Sequence, residues 1–187
     1  MNTKRTLRSL SLVAVLVLVL SVLSIGSVSA DSGSATYQYL LGTSFLCSLG
    51  PTACPDVAMA PNGDTIDITG SGTLSIHPKS VSGGGTFTHH FDGGSVSGTW
   101  TAEQLLSFVS YGSSSLFPPE FTAGLALIRV HLVADEGSPE ADAILRVTCV
   151  LAGAKFPSGM EEGLRLNIQG LLNFNEEVSG LTLFIKQ

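Results

Sequence analysis

Gly72-Thr73-Leu74-Ser75, Gly85-Thr86-Phe87-Thr88 and Gly98-Thr99-Trp100-Thr101 repeat one pattern: glycine, threonine, a large apolar residue, then a hydroxyl. Successive copies begin 13 residues apart, the length of one strand plus its turn. Three copies are too few to stabilise a solenoid with one strand per turn. The spacing therefore predicts a three-strand antiparallel meander, with turns at residues 78–83 and at Asp92-Gly93-Gly94. Side chains alternate along a strand, so Leu74, Phe87 and Trp100 share one face and the threonines take the other.

The same reading extends outward from the repeat. Residues 37–47 read as a first strand, and Pro61-Asn62-Gly63-Asp64 as a tight turn whose Asn-Gly tolerates positive φ. Thr65-Ile66-Asp67-Ile68-Thr69 alternates polar and apolar, as a half-buried strand does. Thr101-Ala102-Glu103-Gln104 resembles a helix capping box, yet the stretch also alternates as a strand through Leu106, Phe108 and Ser110; both readings stay open. Residues 113–122, with Pro118-Pro119, read as a loop. Strands follow at 125–133, 143–151 and 164–169, and 181–185 closes the chain beside the first strand. The expectation is an all-β chain: a single antiparallel β-sandwich or up-and-down β-barrel of about 9–10 strands, with at most one short helix. Alternation is common to both architectures and does not separate them.

The N-terminus is patterned differently. Lys4, Arg5 and Arg8 precede an apolar run at residues 10–25, and Val28-Ser29-Ala30 supplies small residues for cleavage. The run is 16 residues long, short of the ~20 that a spanning helix needs. Residues 1–30 read as a signal peptide cleaved after Ala30, and 31–187 as a single domain. No cysteine stands near the cleavage site to take a lipid. The expected product is secreted, with no membrane anchor after cleavage.

Residues 31–187 carry six Lys and Arg against fifteen acids, a net charge of −9. No basic patch for a phosphate backbone can be assembled from six scattered cations, which excludes nucleic acid as a partner. In an oxidising compartment Cys47, Cys54 and Cys149 imply one disulfide and one leftover thiol. Cys54–Cys149 is the preferred pair, because its long loop is worth up to ~4–5 kcal/mol in the chain-entropy model, against ~2–3 for Cys47–Cys54.

Candidate chemistry is sparse. His77, His90 and Glu103 occupy one offset of the repeat and would stack only in a parallel coil; a meander sends His77 and His90 to opposite ends. His77, His90 and His131 are the metal candidates, but a metal needs three or more converging ligands. Asp56, Asn62 and Asp64 offer oxygens for calcium, although turn chemistry accounts for Asn-Gly-Asp. Glu161-Glu162 and Glu176-Glu177 read as solvated loop charge. No serine sits in a Gly-x-Ser-x-Gly elbow, and Trp100 reads as a core anchor. No catalytic residue and no cofactor are implied.

Cys54-Pro55-Asp56, Asn62-Gly63-Asp64, residues 83–89, Gly98-Thr99-Trp100, Leu106-Ser107-Phe108 and Tyr111-Gly112 resemble a group of small secreted microbial proteins with no assigned activity. The resemblance covers most of residues 31–187 and carries no catalytic residue across. At the level of fold alone, the Gly-Thr-aromatic strands also resemble those of dirigent-like and lipocalin-like barrels.

The leading expectation is a non-enzymatic domain that binds an extracellular ligand or protein. A barrel enzyme or carrier for a small apolar molecule is the alternative, motivated by the apolar sheet face and by Arg129, Arg146 and Arg165 within strands. Metal chemistry at the histidines is a third reading.

Overall fold

The computed structural model describes residues 34–136 and 139–187; the expected signal peptide, 1–30, lies outside them. The described chain is all-β. Its strands are β1 (Thr36–Leu41), β2 (Asp56–Met59), β3 (Thr65–Ser75), β4 (Ser80–Phe91), β5 (Gly94–Gly112), β6 (Phe121–Ala134), β7 (Glu140–Cys149), β8 (Gly163–Ile168), β9 (Leu172–Phe174), β10 (Glu176–Ser179) and β11 (Thr182–Lys186). A 3-10 helix, Ser44–Ser48, lies between β1 and β2.

All strands belong to one large antiparallel sheet, ordered β10-β2-β3-β1-β11-β6-β7-β8-β9, and β4 with β5 spans from β3 to β6 by a second route. The sheet is not a closed barrel. β2 pairs only with β3 and β10, and β8 only with β7 and β9. Even so, β8 packs against β2 and β10. The curled sheet thus meets itself along a seam that side chains hold and backbone hydrogen bonds do not cross.

The repeat forms the meander its spacing predicts, with its first turn at residues 76–79 and not 78–83, because β4 already pairs with β3 from Ser80. β3, β4 and β5 run antiparallel, with Thr69 opposite Thr86 and Thr86 opposite Thr99. Leu74, Phe87 and Trp100 are buried, while the exposed Thr69 and Thr86 hydroxyls meet at 2.8 Å on the other face. Gly70 makes the close approach possible: a Cβ there would lie 2.4 Å from the Trp100 ring.

Two further expectations change, and one that stood open is decided. β1 ends at Leu41, not at residue 47, because Gly42 turns the chain at φ +50 with the Asp56 backbone against it. Residues 101–112 continue β5 as strand. The ladder to β6 satisfies their backbone groups over a length that a local cap cannot match, at the cost of bulges at Glu103, Leu106 and Tyr111. The disulfide joins Cys47 to Cys54, Cα atoms 5.1 Å apart, and not Cys54 to Cys149. Cys149 is a free thiol packed in the core, 1% exposed. The first and last strands do pair, Tyr39 opposite Phe184.

Candidate functional site

Beside the end of β11 the chain leaves an apolar pocket of about 200 Å³. Phe45 and Leu49 come from the 3-10 helix and its cap, Phe117 and Phe121 from the entry to β6, and Leu151 and Leu183 from the ends of β7 and β11. The Phe45 and Phe121 rings stack with centroids 6.0 Å apart. Phe45, Leu49 and Phe117 are exposed at the mouth, and so is neighbouring Leu116. Contiguous exposed apolar surface of this kind marks a binding surface more often than a solvent-facing one.

One titratable side chain, Glu162, lines this pocket. Its carboxyl accepts the backbone N–H of Val150 and, at 2.7 Å, that of Thr182. The Thr182 hydroxyl lies 2.9 Å from Glu162 Oε1 and donates to the Thr148 carbonyl at 2.7 Å. Burial pushes Glu162 up to about 7, against the lowering effect of the two backbone N–H groups.

Two further acids stand behind Glu162. Asp56, the first residue of β2, is 0% exposed. Its carboxyl is wedged between glycines: a Cβ on Gly163 would lie 3.2 Å from Oδ1, and one on Gly180 2.6 Å from Cγ. Neither oxygen makes a well-formed hydrogen bond. Burial, then the charge of Glu162, raises its carboxyl to about 8. Glu177 on β10 has a side chain 5% exposed, with Arg165 Nε 3.2 Å from its Oε1. That contact is an ion pair without hydrogen-bond alignment. Burial raises Glu177 to about 7, although Arg165 and Arg146 pull it down.

Glu162 and Glu177 therefore correct the expectation of solvated loop charge. In a strand, neighbouring side chains face opposite ways; β10 turns Glu176 outward and Glu177 inward. Arg146 and Arg165 carried the other signal. They sit directly opposite each other on β7 and β8, where two like charges repel, and both bear on Glu177.

The metal candidates do not converge. His77 lies in the turn after β3, whereas His90 pairs with Thr65 at the far end of that strand. His90 Nε2 meets Asp67 Oδ2 at 3.2 Å, and His89 Nε2 meets Asp64 Oδ2 at 3.0 Å. Asp64 and Asp56 are thus engaged separately, not in one calcium loop. His131 alone meets several acids: Nδ1 is 2.9 Å from Asp142 Oδ1 and Nε2 is 3.5 Å from Glu140 Oε2. Glu103, at its bulge, brings a carboxylate within 4.8 Å of both His131 and Asp142. This half-exposed cluster joins Glu103 to His131, not to His77 and His90.

A wider, open groove of about 450 Å³ lies beside the disulfide, lined by Asp67, Thr69, Thr86 and Thr88. The Thr69 and Thr86 hydroxyls bond to each other and that of Thr88 to Ser97. Comparison with family models, with curated proteins and with solved structures found no match to this chain.

Proposed function

We propose that this chain is an exported, non-enzymatic domain that binds a small apolar molecule, or the apolar end of a longer one, in the pocket of Phe45, Leu49, Phe117 and Leu183. The observation that carries this reading is a single half-buried carboxyl, Glu162, in an otherwise apolar cavity with exposed aromatic and leucine side chains at its mouth. Apolar walls with one placed polar group are the ordinary make-up of a small-molecule site. The walls supply affinity by removing apolar surface from water, and Glu162 offers the one polar contact that orients the guest. Asp56 and Cys149 are buried and do not line the pocket, so Glu162 is its one titratable group.

Export is supported by the tripartite pattern at residues 1–30 and by the disulfide. Among the described residues no helix is long and apolar enough to cross a membrane.

The test is titration with the fluorescent dye 1-anilinonaphthalene-8-sulfonate. The expected result is saturable one-to-one binding that falls at least tenfold in Leu49→Asp, which places a charge at the mouth without touching the core. Absence of saturable binding, or equal affinity in the variant, would overturn the reading.

A further inference from the structure

We infer that the seam of β8 against β2 and β10 is a pH-sensitive latch, shut while Asp56, Glu162 and Glu177 hold their protons and loosened, together with the adjoining pocket, when they lose them. The effect on the pocket rests on the binding function proposed above; the latch itself does not.

The argument begins with what holds the seam. No backbone pairing links β8 to β2 or β10, so side-chain contacts carry the closure. At its centre lies Asp56, with no exposure and neither oxygen in a well-formed hydrogen bond. On β3 its register partner is the apolar Ile68. From β8 it faces the Leu164 N–H, and from its own strand that of Val57. The charged groups that bear on it are Glu162, before β8, and Glu177, on β10. Both are acids. The guanidiniums within reach of the seam, Arg165 on β8 and Arg146 on β7, bear on Glu177, which Glu161 also flanks. Arg165 is further shared with Glu161 at 2.8 Å. β7 also contributes the buried Cys149 thiol, which faces Glu162. An ionised Asp56 would be a buried charge with no cation of its own, an arrangement proteins avoid by keeping the group neutral.

Glu162 is held differently, with donors on both oxygens: the Val150 N–H on one, and on the other the Thr182 N–H at 2.7 Å and the Thr182 hydroxyl at 2.9 Å. That hydroxyl also meets the Thr148 carbonyl at 2.7 Å, so its single proton serves two acceptors. These donors favour the carboxylate, and burial opposes them.

Burial is the first cause of the raised pKa in all three: about 8 for Asp56, which has no cation beside it, and about 7 for Glu162 and Glu177, where hydrogen-bond donors and the two guanidiniums respectively pull the other way. All three lie above the unfolded values of roughly 4, so between about pH 4 and pH 8 the folded state binds more protons than the unfolded one. Stability is then fully present below about pH 4 and is lost as pH rises through 7 to 8. This is opposite to the usual salt-bridged carboxylate.

The experiment is thermal unfolding and dye titration of the purified protein from pH 5 to 9 at constant ionic strength, with Asp56→Asn alongside. We expect the melting temperature to fall by on the order of 5 °C or more across that range, and the fall to shrink in Asp56→Asn. A flat or rising profile, or an unchanged slope in the variant, would overturn the latch. Should Asp56→Asn not fold, carboxyl-carbon NMR titration of the unaltered protein decides instead: a midpoint for Asp56 above pH 6 supports the latch, and one below pH 5 removes it. Dye affinity should drop several-fold from pH 6 to pH 9. A falling melting temperature with pH-independent dye binding refutes the coupling to the pocket, and one with no dye binding at any pH refutes the pocket and keeps the latch.

Discussion

Gly180 and Asp56 are locked together by close approach: a Cβ on Gly180 would lie 2.4 Å from Asp56 Cα and 2.6 Å from its Cγ. Gly180 also sits at φ +117, a conformation that L side chains rarely adopt. Gly180→Ala must therefore push β2 away from the turn that leads into β11. The expected cost is about 2 kcal/mol or more, a drop of roughly 4–8 °C in melting temperature for a domain of this size. Gly159→Ala is the control. It has φ +79 and nothing within 4 Å of its added Cβ, so it should cost only the ~1–2 kcal/mol of a left-handed residue. Equal losses in the two variants would show that the Asp56 contact is not what Gly180 serves.

The Cys47–Cys54 bond closes a loop with a sequence separation of 7, for which the chain-entropy model gives about 2 kcal/mol of stabilisation. Cys47→Ser should lose roughly that amount while Cys149 stays reduced. Peptide mapping of the unreduced protein should recover Cys47 linked to Cys54. Cys149 should resist thiol reagents until the protein unfolds, because burial pushes its thiol far above the ordinary range and only the thiolate reacts. A Cys54–Cys149 peptide, or rapid labelling of native Cys149, would contradict the arrangement.

Much of the fold was legible because the repeat encodes it. A period of 13 residues specifies strand plus turn, and the apolar third residue of each copy assigns the buried face. Other features depended on contacts distant in sequence. Residues 101–112 satisfy both a helical and an alternating pattern, and pairing with β6 decides between them. Loop entropy favours a Cys54–Cys149 bond, yet entropy of the unfolded chain says nothing about where side chains point in the folded one. The acids were hardest to read. Asp56, Glu162 and Glu177 come from three separate segments, and adjacent-acid pairs look solvated until a strand assignment forces one member inward. Arg146 and Arg165, unusual charges in apolar strands, were the available clue, since each needs a partner.

The His131 cluster loses stability with rising pH in the same sense as the latch, through a paired cation instead of a buried neutral acid. The hydrogen bond to Asp142, followed by the charges of Asp142, Glu140 and Glu103, raises its pKa above 6.5. Its stabilising contribution is present below the unfolded value and disappears as pH rises through the folded one. NMR titration should place the His131 midpoint above that of an unperturbed histidine, and Asp142→Asn should bring it down. High salt should shrink the difference, because the group is solvent-accessible and its ion pairs are screened. A midpoint at or below 6.5 in the unaltered protein would exclude the pairing.

Trp100 is the single tryptophan and is 2% exposed, so its fluorescence reports on the meander alone. Its indole N–H donates to the Thr69 carbonyl at 3.0 Å, and its ring fills the space left by Gly70. Native emission should be blue-shifted and should move to the red on unfolding, in one transition with circular dichroism if the sheet unfolds as a unit. Trp100→Phe keeps an aromatic ring but removes the hydrogen bond and part of the filled volume. It should lower stability by about 2–3 kcal/mol, of which the orphaned Thr69 carbonyl accounts for roughly one. Gly70→Ala approaches the same contact from the other side, because its Cβ would meet the indole ring at 2.4 Å. In the double variant Gly70→Ala with Trp100→Phe the smaller ring makes room for the methyl group. The combined loss should therefore fall short of the sum of the single losses by 0.5 kcal/mol or more. Strict additivity would mean that the two residues do not touch, and the packing assigned to the repeat would be wrong.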